Sequence, residues 1–314
     1  MKRSRWRSRE AQELMRQTNQ QDPEAAMVML AERLLDEAAF SSPPFRPEIL
    51  ASYQGVREVR YSPMSGAARI WPDGDALVIE VNEAHSRGKQ NFSIDHEIAH
   101  TLFPTYNCCM IEDAVTGEFP DGSEEERLCD IGAATLLLDA RHLRPLACAA
   151  GPSIASLIEL ADLFQASVEA TARQLAKLDL WPCAFVFWEE GFRQVDRPRP
   201  GQILLPGTEH LGLPKAKLRV TRAYIAPSLG WFIPRNKSVP ENSLFRECWE
   251  RDEIVSGIER LDIGREIVET YVECLYAPYY SNSVRIGRVV SLLLPCGLRR
   301  HSPTTPVSYQ VEFL

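Results

Sequence analysis

The stretch NFSIDHEIAHTLFPTYNCCM, residues 91–110, constrains this chain more than any other. It sets His96 and His100 four residues apart, and on a helix residues so spaced share one face. Two imidazoles on one face can bind a single metal ion, and Glu97 beside them can take a proton from a water nucleophile. Ile94, Ile98 and Leu102 give the helix an apolar side of its own, so the histidines need not serve as packing residues. A catalytic zinc needs a third protein donor. The next helical segment, SEEERLCDIGAATLLLDARHL from Ser123, offers Glu124, Glu125 and Glu126. Of these, Glu126 stands four residues before Asp130, on the same face. A ligand carboxylate followed by a second one suits the outer partner that holds a zinc-bound histidine by its other nitrogen. The expected set is therefore His96, His100 and Glu126 around Zn2+, Glu97 as general base, and Asp130 behind a histidine. The bland alternative makes HEIAH an exposed helix turn and EEER a solvated first turn favoured by the helix dipole.

Cys108 and Cys109 follow shortly after His100. A loop of that length can fold back over the helix, where a thiolate fits zinc's fourth position and displaces water. Such a thiol would hold the site latent, and Cys109 has the longer reach. Otherwise the pair are small loop residues, or a structural ligand. Tyr106 is the nearest candidate to stabilise an oxyanion.

The chain's 314 residues fit two domains, and 45% hydrophobic with 25% charged residues is an ordinary globular composition. A net charge of −8 argues against a surface built throughout to coat DNA, though it leaves room for a local basic patch. No apolar run reaches membrane-spanning length, and MKRSRWRSREAQELMRQ has no apolar segment after its basic residues. Eight cysteines scattered over such a chain suit a reducing, cytoplasmic setting better than a disulfide framework.

Helical spacing, with Asp22 as cap and Pro23 at the first helical position, predicts a helix over 22–40. A short helix follows, ending at Gly55. Strands separated by SPMSG and PDGD then lead through ALVIEVN into the HEIAH helix. The helix from Ser123 is punctuated by Pro145 and Gly151. Two helices follow, broken near Gln165–Ser167, and beyond Trp181 the texture turns to β. One amphipathic helical region is expected over Glu241–Glu273. Further strands are expected in RQVDRPRPGQILLPG, RIGRVVSLLLP and VSYQVEFL.

These motifs together resemble the ImmA/IrrE-type zinc metallopeptidases. The pattern there is a strand ending in VN, a basic linker, an F-[ST]-x-x-HE-x-x-H helix, and then a helix of the form E-x-x-[AC]-[ND]-x-x-AA-x-LL-x-P. This chain has VIEVN, RGKQNFSIDHEIAH and ERLCDIGAATLLLD, with Glu126 at the third-ligand place. It departs from the pattern at Asp139, where proline is usual, and at Gly132, where a bulky residue is usual and glycine is expected to leave room in the pocket. The resemblance implies an α+β protein. Its parts would be a zincin-like peptidase domain (1–150), a helix-turn-helix-like segment (151–185) and a C-terminal mixed α/β, GAF-like sensor domain (186–314). It implies as substrate a helix-turn-helix transcriptional repressor whose cleavage induces a stress, phage or anti-phage defence operon. Basic and aromatic residues of the C-terminal half, such as Arg222, Tyr224, Trp231 and Phe232, suggest an anionic effector, single-stranded DNA among them. The rival reading is a non-enzymatic DNA- or ligand-binding regulator with structural zinc.

Overall fold

The computed structural model describes residues 6–104, 106, 123–193, 216–251, 253–281 and 284–296. Cys108 and Cys109, the strand expected within 194–215 and the one expected in VSYQVEFL lie outside the described residues. The chain divides into two compact units, Met1–Ala149 with Ile158–Gln174, and Ala150–Leu157 with Leu175–Phe313.

In the first unit, α1 (Arg9–Thr18) and α2 (Pro23–Glu37) lead to α3 (Pro47–Tyr53). Ser8 caps α1 by accepting from the Ala11 amide, and α2 starts on Pro23, whose fixed φ suits the first helical position. Gly55, at φ +76°, ends the α3 turn in a region that disfavours side chains. A three-stranded sheet follows: β1 (Val56–Ser62), β2 (Ala68–Asp73) and β3 (Ala76–Asn82), in the order β1-β3-β2. β3 lies central, parallel to β1 and antiparallel to β2, with Ile79 opposite both Val59 and Ile70. Its burial explains the apolar run ALVIEVN, in which Val78, Ile79 and Val81 are fully buried.

Asn82, at the end of β3, aims the chain into the next helix. Its amide donates to the carbonyls of Met64 and Gly66, at 2.6 and 2.9 Å. Its own carbonyl accepts from Gln90 at 3.2 Å, one turn into α4 (Arg87–Thr101). The helix α5 (Glu124–Leu137) packs along α4 and α2. Ser123 caps it as expected, accepting from the Glu126 amide at 3.2 Å.

That helix does not run on to Pro145. It stops at Leu137, and Asp139 starts α6 (Ala140–Ala150), with Pro145 inside it. The fully buried Asp139 carboxylate takes the Arg141 amide and guanidinium and His142, the role of an N-terminal cap. The aspartate that replaces the usual proline thus divides two helices.

Gly132 also differs from expectation. A Cβ there would meet the Ala99 Cβ at 2.8 Å and the Met27 sulfur at 3.0 Å. Its missing side chain lets α5 approach α4 and α2 rather than enlarging a pocket. The helices α7 (Ile154–Phe164) and α8 (Val168–Lys177) are separated by Gln165 at φ +50°, and Ser167 caps the second. Asn91 of α4 donates to the Gln165 carbonyl at 3.0 Å.

The second unit is built on a five-stranded antiparallel sheet of order β5-β4-β10-β7-β6. Its strands are β4 (Ala184–Gly191), β5 (Lys217–Ile225), β6 (Val255–Asp262), β7 (Ile267–Tyr276) and β10 (Val289–Pro295), with a small pair β8 (Tyr279–Ser281) and β9 (Val284–Ile286). One short helix, α9 (Leu244–Glu250), packs on β7 and β6. Trp188, Phe245, Val272 and Leu293 lie in the core on this side of the sheet. The helical region expected over Glu241–Glu273 is therefore corrected. Only Leu244–Glu250 is helical, and β6 with most of β7 forms a hairpin in which Ile258 faces Tyr271. Alternating charges in IERLD imitate a helical polar face, while β-branched residues in IVETYV favour the strand.

Candidate metal centre

The faces of α4 and α5 that meet carry the polar residues singled out in the sequence. On α4, Ile94 and Ile98 are fully buried, and His96 and His100 face α5, with Glu97 near enough to act on Cys129 there. His100 is 2% exposed and Glu97 7%. From α5, Glu126 reaches both imidazoles: one oxygen lies 3.1 Å from Nε2 of His96, the other 3.6 Å from Nε2 of His100. Asp130, one turn on, lies 3.2 Å from Nδ1 of His96. The ring of His96 is therefore held at both nitrogens by carboxylates of one helix.

Electrostatics differ sharply between the two histidines. Burial by itself lowers the pKa of His96, but its hydrogen bonds to Asp130 and Glu126 and the charges of Glu97 and Glu126 override that and raise it to about 10. His100 is lowered to about 4, by burial and then by the charge of His96, against the pull of Glu126. Without metal, these shifts favour an imidazolium at His96 and a neutral imidazole at His100 near neutral pH. Tyr106 is buried, with a hydroxyl that has no hydrogen-bond partner among the described residues. Burial, followed by the nearby Glu97 and Cys129, raises its pKa, so it stays a phenol.

One further donor, absent from the set expected from the sequence, joins them. His96, His100 and Cys129 each offer an atom, and all three lie within 4.8 Å of one another. Cys129 is fully buried on α5, three residues after Glu126 and so on the same helical face. Its thiol is pushed up by burial and by the surrounding carboxylates Glu126, Glu97, Asp130 and Glu125. The signal was present in ERLCD, but a lone cysteine in an apolar helix reads first as a core residue. Two imidazoles, a carboxylate and a thiol are the donor types that zinc takes, so the residues fit such an ion. Cys108 and Cys109 lie outside the described residues and are not brought to this site or away from it.

The family model for peptidase family M78, described as an IrrE N-terminal-like domain, matches residues 51–176. That span holds β1–β3, α4, α5 and the donor cluster. No curated protein matches the chain by sequence. Among solved structures, a Mycobacterium tuberculosis transcriptional regulator superposes with a TM-score of 0.56, covering 91% of this chain and 80% of its own, at 14% identity. At that identity the likeness is one of fold. No helix among the described residues is long and apolar enough to cross a membrane. Residues 51–176 thus match an IrrE N-terminal-like domain, and that match supports an ImmA/IrrE family protein.

Proposed function

We propose that this protein is a zinc metalloendopeptidase that cleaves a helix-turn-helix transcriptional repressor and so induces a stress or anti-phage defence operon. One observation carries the chemistry: His96, His100 and Glu126 converge from two helices while Asp130 holds the far nitrogen of His96. Bound there, zinc supplies a Lewis acid that makes water nucleophilic near neutral pH and polarises a carbonyl. The remaining work falls to the chain's own residues. Glu97, next to His96 and buried, accepts the proton from the attacking water and returns it to the leaving amine. Asp130 fixes the orientation of the His96 ring and raises its basicity. Tyr106, kept protonated and with a hydroxyl unpaired among the described residues, donates a hydrogen bond to the substrate carbonyl oxygen as negative charge builds on it.

The M78 match supports the peptidase class, and the regulator of similar fold suits a place in transcriptional control. The antiparallel sheet of the second unit is the frame for the sensor-domain reading. On it, Arg222, Arg235 and Phe232 line a groove of about 540 Å³, with Arg265 over the Phe232 ring. Those groups fit an anionic effector in general, and single-stranded DNA is one case of that class.

A second reading is favoured by the fourth donor, Cys129. A site that four protein ligands close permanently is structural, and the protein would then regulate without cutting. Glu97→Gln separates the two. The peptidase reading expects the zinc content to stay and cleavage of the repressor encoded beside this gene to fall by about 10²–10⁴-fold. Unchanged behaviour of that variant favours the structural site.

A further inference from the structure

Glu126 and Cys129 lie three residues apart on α5, and His96 and His100 four apart on α4, so each helix turns two donors toward the other. The Glu126 oxygens stand 3.1 and 3.6 Å from the two imidazoles, and the Cys129 sulfur is within 4.8 Å of both. The ordinary role of a buried cysteine is that of a small apolar residue whose thiol leans on a carbonyl. Cys274 behaves so, its sulfur 3.6 Å from the Leu244 carbonyl oxygen and 3.4 Å from that of Val255. Cys129 does not. It is fully buried, has no hydrogen-bond partner among the described residues, and faces two imidazoles instead.

Sulfur and imidazole nitrogen are both donors that zinc favours, and four protein donors close its tetrahedron where three leave a position open. We propose that Cys129 is a fourth metal ligand, so that zinc rests in a closed set of His96, His100, Glu126 and Cys129. The site then opens to substrate only when the Cys129 sulfur moves off. This rests on the metal-centre reading above and adds the regulation of that centre. The thiol that holds the peptidase latent lies in the ligand-bearing helix itself. On binding, the S–H bond breaks, its proton leaves to solvent, and the sulfur lone pair forms the bond to metal. No oxidation state changes.

The test loads the full chain with Co2+ in place of zinc and compares the unaltered protein with Cys129→Ser and with the double variant Cys108→Ser/Cys109→Ser. Sulfur-to-cobalt charge-transfer absorption in the near ultraviolet is expected in the unaltered protein and the double variant. It is expected to vanish in Cys129→Ser, which still binds cobalt through its other donors. Bound cobalt without that absorption in the unaltered protein overturns the proposal and leaves the metal centre standing. So does absorption that survives Cys129→Ser and vanishes in the double variant. If no form binds cobalt, the metal-centre reading itself falls. Should Cys129→Ser fail to fold, X-ray absorption on zinc-loaded protein decides. A sulfur neighbour at about 2.3 Å is expected, and it should remain in the double variant. A shell of nitrogen and oxygen alone overturns the proposal.

Discussion

Asp130 stands 3.2 Å from Nδ1 of His96, while Nε2 of the same ring lies 3.1 Å from Glu126. One helix thus supplies both the donor beside the imidazole and the carboxylate that orients it. Replacing Asp130 by Asn leaves an amide that cannot carry the charge. Zinc affinity should fall by about 10–100-fold in competition with a chromophoric chelator, with the fold unchanged. Unaltered affinity would mean that the Asp130 contact has no part in holding the metal.

In the metal-free protein His96, whose pKa is raised to about 10, is an imidazolium, and His100, lowered to about 4, is a neutral imidazole. A metal must displace the His96 proton. Apparent zinc affinity should therefore rise by about tenfold per pH unit for each proton released, between pH 7 and 9. Calorimetry in buffers of different ionisation enthalpy counts those protons. One is expected from His96 and a second from Cys129 if its sulfur joins the set. A count near zero would contradict the protonation described here.

Much of the site was readable because helical periodicity alone sets which side chains share a face. His96 with His100, and Glu126 with Asp130, need only that rule. What periodicity does not give is how closely two helices approach. For that reason Gly132 reads as pocket space in sequence, whereas in the structure it admits Ala99 and Met27. The same limit hides Cys129, whose imidazole neighbours come from another helix. The α+β character was legible, but the β6–β7 hairpin was not. Charged residues along it satisfy a helical and a strand pattern alike, and the partner strand decides between them.

Gly132→Ala tests the helix contact. Alanine gains about 1 kcal/mol of helix propensity over glycine. A methyl 2.8 Å from the Ala99 Cβ must push the backbones apart, at a cost of about 1–3 kcal/mol. Urea denaturation should show net destabilisation, and a more stable variant would contradict the close packing of α4 and α5.

Asp95 is fully buried on α4, and neither of its carboxylate oxygens has a hydrogen-bond partner among the described residues. Burial, and then the charge of Glu48, raise its pKa well above 3.8. Because the folded value exceeds the unfolded one, its stabilising contribution is complete below about pH 4 and is lost as pH rises toward the folded value. In metal-free protein, Asp95→Asn should remove that part of the decline. The variant should then gain stability over the parent as pH rises from 5 to 7. An equal pH slope in both proteins would show that the carboxyl titrates alike in the folded and unfolded chain.

Direct metal analysis of the purified chain tests most simply whether α4 and α5 hold a metal between them. One zinc per chain is expected in the unaltered protein, with near-complete loss in His100→Ala and the fold retained by circular dichroism. A folded parent that binds no zinc, or one whose zinc survives His100→Ala undiminished, would contradict the account.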